Sequence, residues 1–355
     1  MFESSNLHGG TDALGVPAHD FSTNSNACGP CPAAWQAVRD ADASHYPDPH
    51  YSQLRARLAQ HHGVASERIV LAGSASEFIA RVSLWLRLQS EQSNTVAPWV
   101  HWPDLAYGDY ARAAHAAGLS RTTQASDACL IWACEPSSPL GQAQPDLLAH
   151  IAGLQTHQLC VLDLAYEPLR LSGRSEVCAH PLRHRVWQMW TPNKALGMTG
   201  VRAAYVIAPE DAQATVAALQ QLAPSWILGA HGVALLQAWC DDEVQQWVAH
   251  SRDTLRDWKA RQIALCERLG WQVQPSDANY FAARLPQNLC GSHAQGLHTS
   301  QVQVLRAHGV KLRDAASFGL PAWVRVGVLA PASQDALMQA WQAMLTQTPT
   351  NGGHA

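Results

Sequence analysis

The sequence predicts an α/β architecture, a mainly parallel sheet covered by helices, joined to a smaller α+β unit. Two observations predict it. From Ile69 to Ile207, short apolar runs alternate with helical patterns or polar loops. That rhythm belongs to strand–helix–strand units whose helices cover a sheet. From about Leu235 it gives way to a long helical stretch, then to separate strands and helices.

Taken in order, Ile69-Val70-Leu71-Ala72 reads as a strand, and Gly73-Ser74-Ala75-Ser76-Glu77 as the turn that follows. A helix is expected from about Ser76 to Leu88. Further strands are expected over Pro98 to Trp102, Ala128 to Ala133, Leu159 to Leu164, Val186 to Trp190 and Ala203 to Ile207. In the second unit, a helical stretch runs from Leu235 towards Leu269. Strands follow at Trp271 to Val273, Asn279 to Arg284 and Trp323 to Leu329, with helices near Ser300 to Ala307 and Gln334 to Leu345. Residues 348–355 form a polar tail expected to be disordered. Parallel sheets bind ligands beyond the carboxyl ends of their strands, so the loops leaving these strands are where chemistry is sought.

Composition narrows the function. The 355 residues carry a formal net charge of -4, which offers no basic field for nucleic acid or an anionic membrane. No apolar run reaches the ~18 residues of a membrane span. Met1 to Gly10 lacks the apolar core of a secretory signal, so a cytoplasmic location is expected. Nine cysteines, an odd number, suggest reduced thiols and no disulfide framework. Cys28-Gly29-Pro30-Cys31 has thioredoxin-type spacing, but it sits in a polar loop from Ser22 to Pro32. The redox motif needs a preceding strand and a helix starting at its first cysteine, so a redox function is a distant reading. The eighteen histidines, His61-His62 included, show no paired metal spacing, and no metal is expected.

The chain has only three lysines against twenty-one arginines. Where arginine serves for general positive charge, a remaining lysine is more informative. Lys259, within Arg256-Asp257-Trp258-Lys259-Ala260-Arg261, reads as part of a solvated helix face. Lys311 reads as opening a short strand, Val310 to Leu312. Lys194 lies in neither setting: Thr191-Pro192-Asn193-Lys194-Ala195-Leu196-Gly197-Met198-Thr199-Gly200-Val201-Arg202 follows a predicted strand. A lysine amine becomes nucleophilic when desolvated or placed near positive charge. The glycines let backbone approach a bulky ligand. Thr191 offers a hydroxyl, and Arg202 a guanidinium fork, to a phosphate.

Other segments join this loop. Asp163 ends an apolar strand, where a carboxylate needs a partner; a protonated pyridine nitrogen is one. Gly73-Ser74-Ala75 lies between strand and helix, where backbone N–H groups and the helix dipole bind phosphate. Tyr107 follows the strand ending at Trp102 and could stack on a ring. A strand-end carboxylate, an ordinary turn and a surface tyrosine are the plain readings; their joint occurrence in this order argues against them.

The order Gly73-Ser74-Ala75, Tyr107, Glu135 to Gly141, Asp163 to Tyr166, Lys194 and Arg202 resembles the fold-type I pyridoxal-phosphate (PLP) aminotransferases, in the histidinol-phosphate aminotransferase branch. The resemblance implies a large domain with a mainly parallel seven-stranded sheet and a smaller α+β domain. The implied division is an N-terminal arm and part of the small domain over 1–44, a large PLP-binding domain over 45–240 and the small C-terminal domain over 241–347. It also implies that Lys194 carries PLP, that Thr191 and Arg202 hold the cofactor phosphate, and that the protein is a homodimer. Tyr46, in His45-Tyr46-Pro47-Asp48-Pro49, would reach the phosphate of the neighbouring subunit's cofactor. Arg325 would grip the substrate α-carboxylate.

Within that branch, Leu7-His8-Gly9-Gly10, Asp20 to Asn26 and Gly29-Pro30 resemble threonine-phosphate decarboxylases of cobalamin biosynthesis. His8, Asn24 and Arg313 would then lie at the substrate phosphate. Two segments depart from the family. Its Asn-Pro-Asn-Asn-Pro-Thr-Gly is here Glu135-Pro136-Ser137-Ser138-Pro139-Leu140-Gly141, so Ser138 replaces the asparagine that meets the PLP 3′-oxygen. Its Asp-Glu-Ala-Tyr is here Asp163-Leu164-Ala165-Tyr166, which keeps Asp163 and Tyr166 beside Lys194 as the implied catalytic set. The expected function is decarboxylation of L-threonine 3-O-phosphate to (R)-1-amino-2-propanol phosphate. The alternatives are histidinol-phosphate aminotransferase and, more distantly, a non-catalytic PLP-fold binding protein. The small phosphorylated amino substrate is common to the first two.

Overall fold

The computed structural model describes residues 9–93, 98–286 and 299–347. His8 and the 348–355 tail lie outside the described residues. Thirteen strands are found among the described residues. They are β1 His19–Asp20, β2 Ile69–Ala72, β3 Trp99–His101, β4 Ser120–Arg121, β5 Leu130–Cys134, β6 Leu159–Asp163, β7 Trp187–Trp190, β8 Ala204–Ile207, β9 Gln272–Val273, β10 Tyr280–Arg284, β11 Val310–Lys311, β12 Arg313–Asp314 and β13 Trp323–Gly327.

Seven of them form one sheet in the order β2-β8-β7-β6-β5-β3-β4. All neighbours pair in parallel except β8, which runs antiparallel to both β2 and β7. The continuous apolar runs follow from burial on both faces. Val70, Trp132, Val161 and Val206 point to one core, with Phe78, Ile79 and Val82 from the helix Ala75–Gln92 and Tyr110 and Ala114 from Gly108–Ala116. Their strand neighbours Ile69, Leu71, Tyr205 and Ile207 point the other way, onto Pro32–Arg39, Ser52–His62 and Ala230–Trp239.

The second sheet is antiparallel, β12-β13-β10-β9. Phe281, Ala283, Val324 and Val326 pack from it against Leu337 and Trp341 of the final helix, Pro331–Gln347. β1 pairs in parallel with β11, so the segment before the first helix is stitched to the C-terminal unit.

The expected strands are all present, within a residue or two of their limits. The single helical stretch from Leu235 to Leu269 is instead two helices, Ala230–Trp239 and Asp242–Arg268. The second starts after extended Asp241, with Asp242 and Glu243 in its first turn, where carboxylates complement the helix dipole. Lys259 is not on a solvated face. It is buried, and its Nζ donates to the carbonyls of Ser276 and Ala278. Lys311 closes its two-residue strand rather than opening it. No described helix is long and apolar enough to cross a membrane.

Candidate active site

The loops leaving the carboxyl ends of β2, β3, β5, β6 and β7 converge on one cavity of about 320 Å3. Ser74 and Ala75 follow β2, Tyr107 follows β3, Ser138 follows β5, Asp163 ends β6, and Thr191 and Lys194 follow β7. Lys194 is the one lysine among the described lining residues. Its Nζ lies 3.4 Å from Thr191 Oγ1 and 5.3 Å from the centre of the Tyr166 ring.

The lysine loop is held from the N-terminal side. The Asn26 N–H donates to the Lys194 carbonyl, and Asn26 Nδ2 to the Ala195 carbonyl, each at 2.9 Å. The Cys31 N–H donates to the Leu196 carbonyl at 2.9 Å. Gly197 has φ +69°, and a Cβ there would stand 2.4 Å from the Gly29 carbonyl oxygen, so the position takes only glycine. The segment around Cys28 and Cys31 is thus a brace for the lysine loop, and Cys31 directly precedes the helix Pro32–Arg39.

Asp163 is 4% exposed. The Tyr110 hydroxyl donates to its Oδ2 at 2.7 Å, and the Ala165 N–H to its Oδ1 at 3.0 Å. Burial pushes its pKa up, opposed by the Tyr110 hydrogen bond, the Lys194 charge and the Ala165 N–H. Tyr110 was not foreseen. It stacks on Trp132 with ring centres 4.6 Å apart, which fixes the hydroxyl under the carboxylate.

Ser74 caps the helix Ala75–Gln92, accepting from the Glu77 N–H, and Ser74, Ala75 and Ser76 all face the cavity. Gly73 is not among the lining residues; its N–H donates to Glu77 Oε2 at 3.3 Å. Thr191 is buried and Arg202 exposed, and both line the cavity. The Tyr107 hydroxyl donates to Asp109 at 2.8 Å and lies 3.3 Å from Ser76 Oγ. Burial raises its pKa, with the Asp109 charge adding to the effect.

Arg313 and Arg325 are opposite residues of β12 and β13, and both are buried in the cavity wall. Arg325 donates from Nη1 to Ser138 Oγ and from Nη2 to the Ser22 carbonyl, both at 3.2 Å. Its guanidinium lies over the rings of Phe318 and Tyr280 at 5.4 and 5.6 Å. Arg313 donates to Ser317 Oγ at 2.8 Å, and its pKa is pushed down to about 10, by burial first and the Arg325 charge second. Tyr280, also unforeseen, edges onto Tyr166 and donates its hydroxyl to the Ser137 carbonyl at 2.7 Å. Asn24, 4% exposed, lines the cavity, and neither side-chain polar atom finds a hydrogen-bond partner among the described residues. Tyr46 does not line the cavity. It is 77% exposed and stacks on half-exposed Trp226.

These groups suit PLP chemically. A cavity-facing amine, a buried carboxylate whose raised pKa calls for a cation, and a helix N-terminus with a hydroxyl and a guanidinium match its aldehyde, ring nitrogen and phosphate. The unpaired amide of Asn24 and the two buried guanidinium groups leave polar capacity for a further anionic molecule.

Comparison with known proteins agrees. The model of the family "Aminotransferase class I and II" matches residues 17–344. Histidinol-phosphate aminotransferase of Ruegeria pomeroyi is 26% identical over 337 residues, which cover 91% of this chain and 90% of that protein. The crystal structure of histidinol-phosphate aminotransferase from Sinorhizobium meliloti, in complex with pyridoxal-5′-phosphate, matches with TM-score 0.75 at 21% identity, over 91% of this chain and 89% of that one. L-threonine-O-3-phosphate decarboxylase from Porphyromonas gingivalis matches with TM-score 0.74 at 18% identity, over 92% and 99%. The fold therefore does not separate the two activities.

The curated relatives do separate them. Seven more, at 24–28% identity, carry the histidinol-phosphate aminotransferase name, which overturns the expected decarboxylation. The physical reason is visible in the residues used. Asn24 and Arg313 line a cavity that both reactions would use, and His8 lies outside the described residues. None of them dictates which bond at the substrate Cα breaks. The chain belongs to the class I and II aminotransferases, fold-type I enzymes that work with pyridoxal 5′-phosphate.

Proposed function

We propose that the protein is an aminotransferase that moves the amino group of histidinol phosphate to 2-oxoglutarate. The observation that carries this reading is the facing pair Arg313 and Arg325 in the cavity of Lys194. A transaminase must seat two different molecules in turn, here a phosphate ester and a dicarboxylate. Adjacent guanidinium forks can take either anion with charge-assisted hydrogen bonds, while Lys194 meets the amine or the carbonyl. The names of the curated relatives support the same substrate.

In this reading Lys194 carries the cofactor. Ser74, Ala75, Thr191 and Arg202 would hold its phosphate, Asp163 would pair with the ring nitrogen, and Tyr107 would pack on the ring; all of them line the cavity. Bound PLP supplies an electron sink for charge that develops at the substrate Cα. The protein does the rest. Arg313 and Arg325 anchor the anionic end of the substrate, which fixes the Cα–H bond towards Lys194. The Lys194 amine takes that proton and returns it. Tyr110 keeps Asp163 an anion in a buried place, so that the carboxylate stabilises positive charge on the ring. Ser138, in the place of the family asparagine, receives Arg325 and so couples the cofactor side of the cavity to the substrate side. The partner subunit of a homodimer supplies Tyr46 to the cofactor phosphate.

The test is direct. Holoenzyme given histidinol phosphate and 2-oxoglutarate should form glutamate, and given threonine phosphate should release no CO2. Absence of glutamate from histidinol phosphate would sink the reading.

A further inference from the structure

A strap of chain reaches the substrate end of the cavity at Gly9 and is fastened outside that cavity. Gly9 lines the cavity wall. The next residue is tied at both backbone polar groups: the Gly10 N–H donates to Ser22 Oγ at 2.8 Å, and its carbonyl accepts from Lys311 Nζ. Asp12 accepts from Lys311 Nζ and from Arg306 Nη2, each at 2.8 Å, and the Gly15 carbonyl accepts from Arg306 at 3.3 Å. Residues 10–15 are thus bolted to β11 and to the helix Thr299–Ala307.

The strap reaches the chemistry through Ser22. The Ser22 side chain holds Gly10, and the Ser22 carbonyl accepts from Arg325. A Cβ on Gly9 would stand 2.0 Å from the Ser22 carbonyl oxygen, so the strap lies flat against this backbone in a way only glycine allows. Behind it a second cavity of about 350 Å3 shares Ser22 and Arg313 with the first and takes Asp12, Arg306 and Lys311 into its wall. The cluster is therefore linked to the paired arginines through the wall of this second cavity.

We propose that Asp12, Lys311 and Arg306 form a positioning latch that closes the 9–15 strap over the Arg313–Arg325 anion site and so sets its affinity without touching substrate. This rests on the reading of those arginines as the substrate-anion site. Guanidinium–anion attraction strengthens as water is excluded, and a flat strap held by one carboxylate shared between two cations excludes it.

The probe is inorganic phosphate, titrated calorimetrically into the holoenzyme, with amide exchange at Gly10 followed in parallel. Asp12→Asn and Lys311→Met should each weaken phosphate binding about tenfold, the loss expected when a buried charge-assisted contact is opened to water. Both should speed exchange at Gly10 and leave bound PLP unchanged, and Lys311→Arg should restore wild-type affinity. Faster exchange with unaltered phosphate affinity would overturn the latch, as would unaltered exchange in both variants. Wild-type holoenzyme that binds no phosphate would overturn the arginine site itself, and the latch's purpose with it.

Discussion

Tyr110 donates its hydroxyl to Asp163 across 2.7 Å, in a place where both side chains are buried. Burial drives the carboxyl towards its neutral form, and this hydrogen bond is the largest force against it. Tyr110→Phe should therefore raise the Asp163 pKa further. A hydrogen bond to a charged group contributes about 1.5–3 kcal/mol, so PLP retention should weaken roughly ten- to hundredfold. The acidic limb of the pH–activity profile should move to higher pH, because Asp163 works as the anion. PLP affinity by spectral titration and the profile itself check both parts.

Two lysines compete for the role of cofactor carrier on chemical grounds. Burial pushes the Lys259 pKa down to about 8, which makes its amine easier to deprotonate than a free lysine's. Geometry rules against it: its Nζ is spent on two carbonyls, and it does not line the cavity. Borohydride reduction of the holoenzyme should fix the cofactor label on Lys194, found by peptide mapping. Label on Lys259 would refute the assignment.

Lys259 instead makes a prediction about stability. Its folded-state pKa of about 8 lies below the free value of 10.5. Between those pH values the unfolded chain holds a proton that the folded chain has released, so stability rises with pH across the window. A shift of this size corresponds to about 3 kcal/mol. Wild type minus Lys259→Met, measured by urea unfolding from pH 7 to 10.5, should show that rise.

Lys259 also shows what was legible and what was missed. The charged run Arg256, Asp257 and Arg261 suggested a solvated face. Yet Leu255, Lys259, Gln262 and Cys266 fall at helical spacing and are all buried, and the apolar ends of that stripe were visible in the sequence. The break after Trp239 was likewise signalled by Asp241-Asp242-Glu243, a helix start in acidic residues. The strands and the lysine loop were legible because apolar runs and a glycine-rich segment are local signals. Tyr110 and Tyr280 were not, because their roles depend on partners 53 and 143 residues away in the chain.

Tyr46 and Trp226 form an exposed stacked pair, with 77% and 42% of their surfaces open in one protomer. Aromatic surface of this kind is covered when a partner docks. Sedimentation should give a dimer. Tyr46→Ala should lower PLP retention, in line with a tyrosine lent to the neighbouring subunit. A monomer with full PLP affinity would end that proposal.

Arg313 and Arg325 are opposed in the β12–β13 register, so two positive charges stand side by side in a buried wall. The depressed pKa of Arg313 records the strain: burial first, then repulsion from Arg325. Such a pair is costly until an anion arrives, and the cost is what draws one in. The two positions differ in their supports. Arg325 is oriented by Ser138 and the Ser22 carbonyl, whereas Arg313 is held by Ser317 against Phe318. Arg325→Lys keeps the charge but loses the fork that spans Ser138 and Ser22. It should raise KM for both histidinol phosphate and 2-oxoglutarate about ten- to hundredfold, the loss of a bidentate charged contact. Arg313→Met relieves the repulsion while removing one donor from the dianion, so it should penalise the phosphate substrate more than the oxo acid. Steady-state kinetics of each variant with each substrate checks this. Equal loss for both substrates in Arg313→Met would show that the two arginines act as one undivided site.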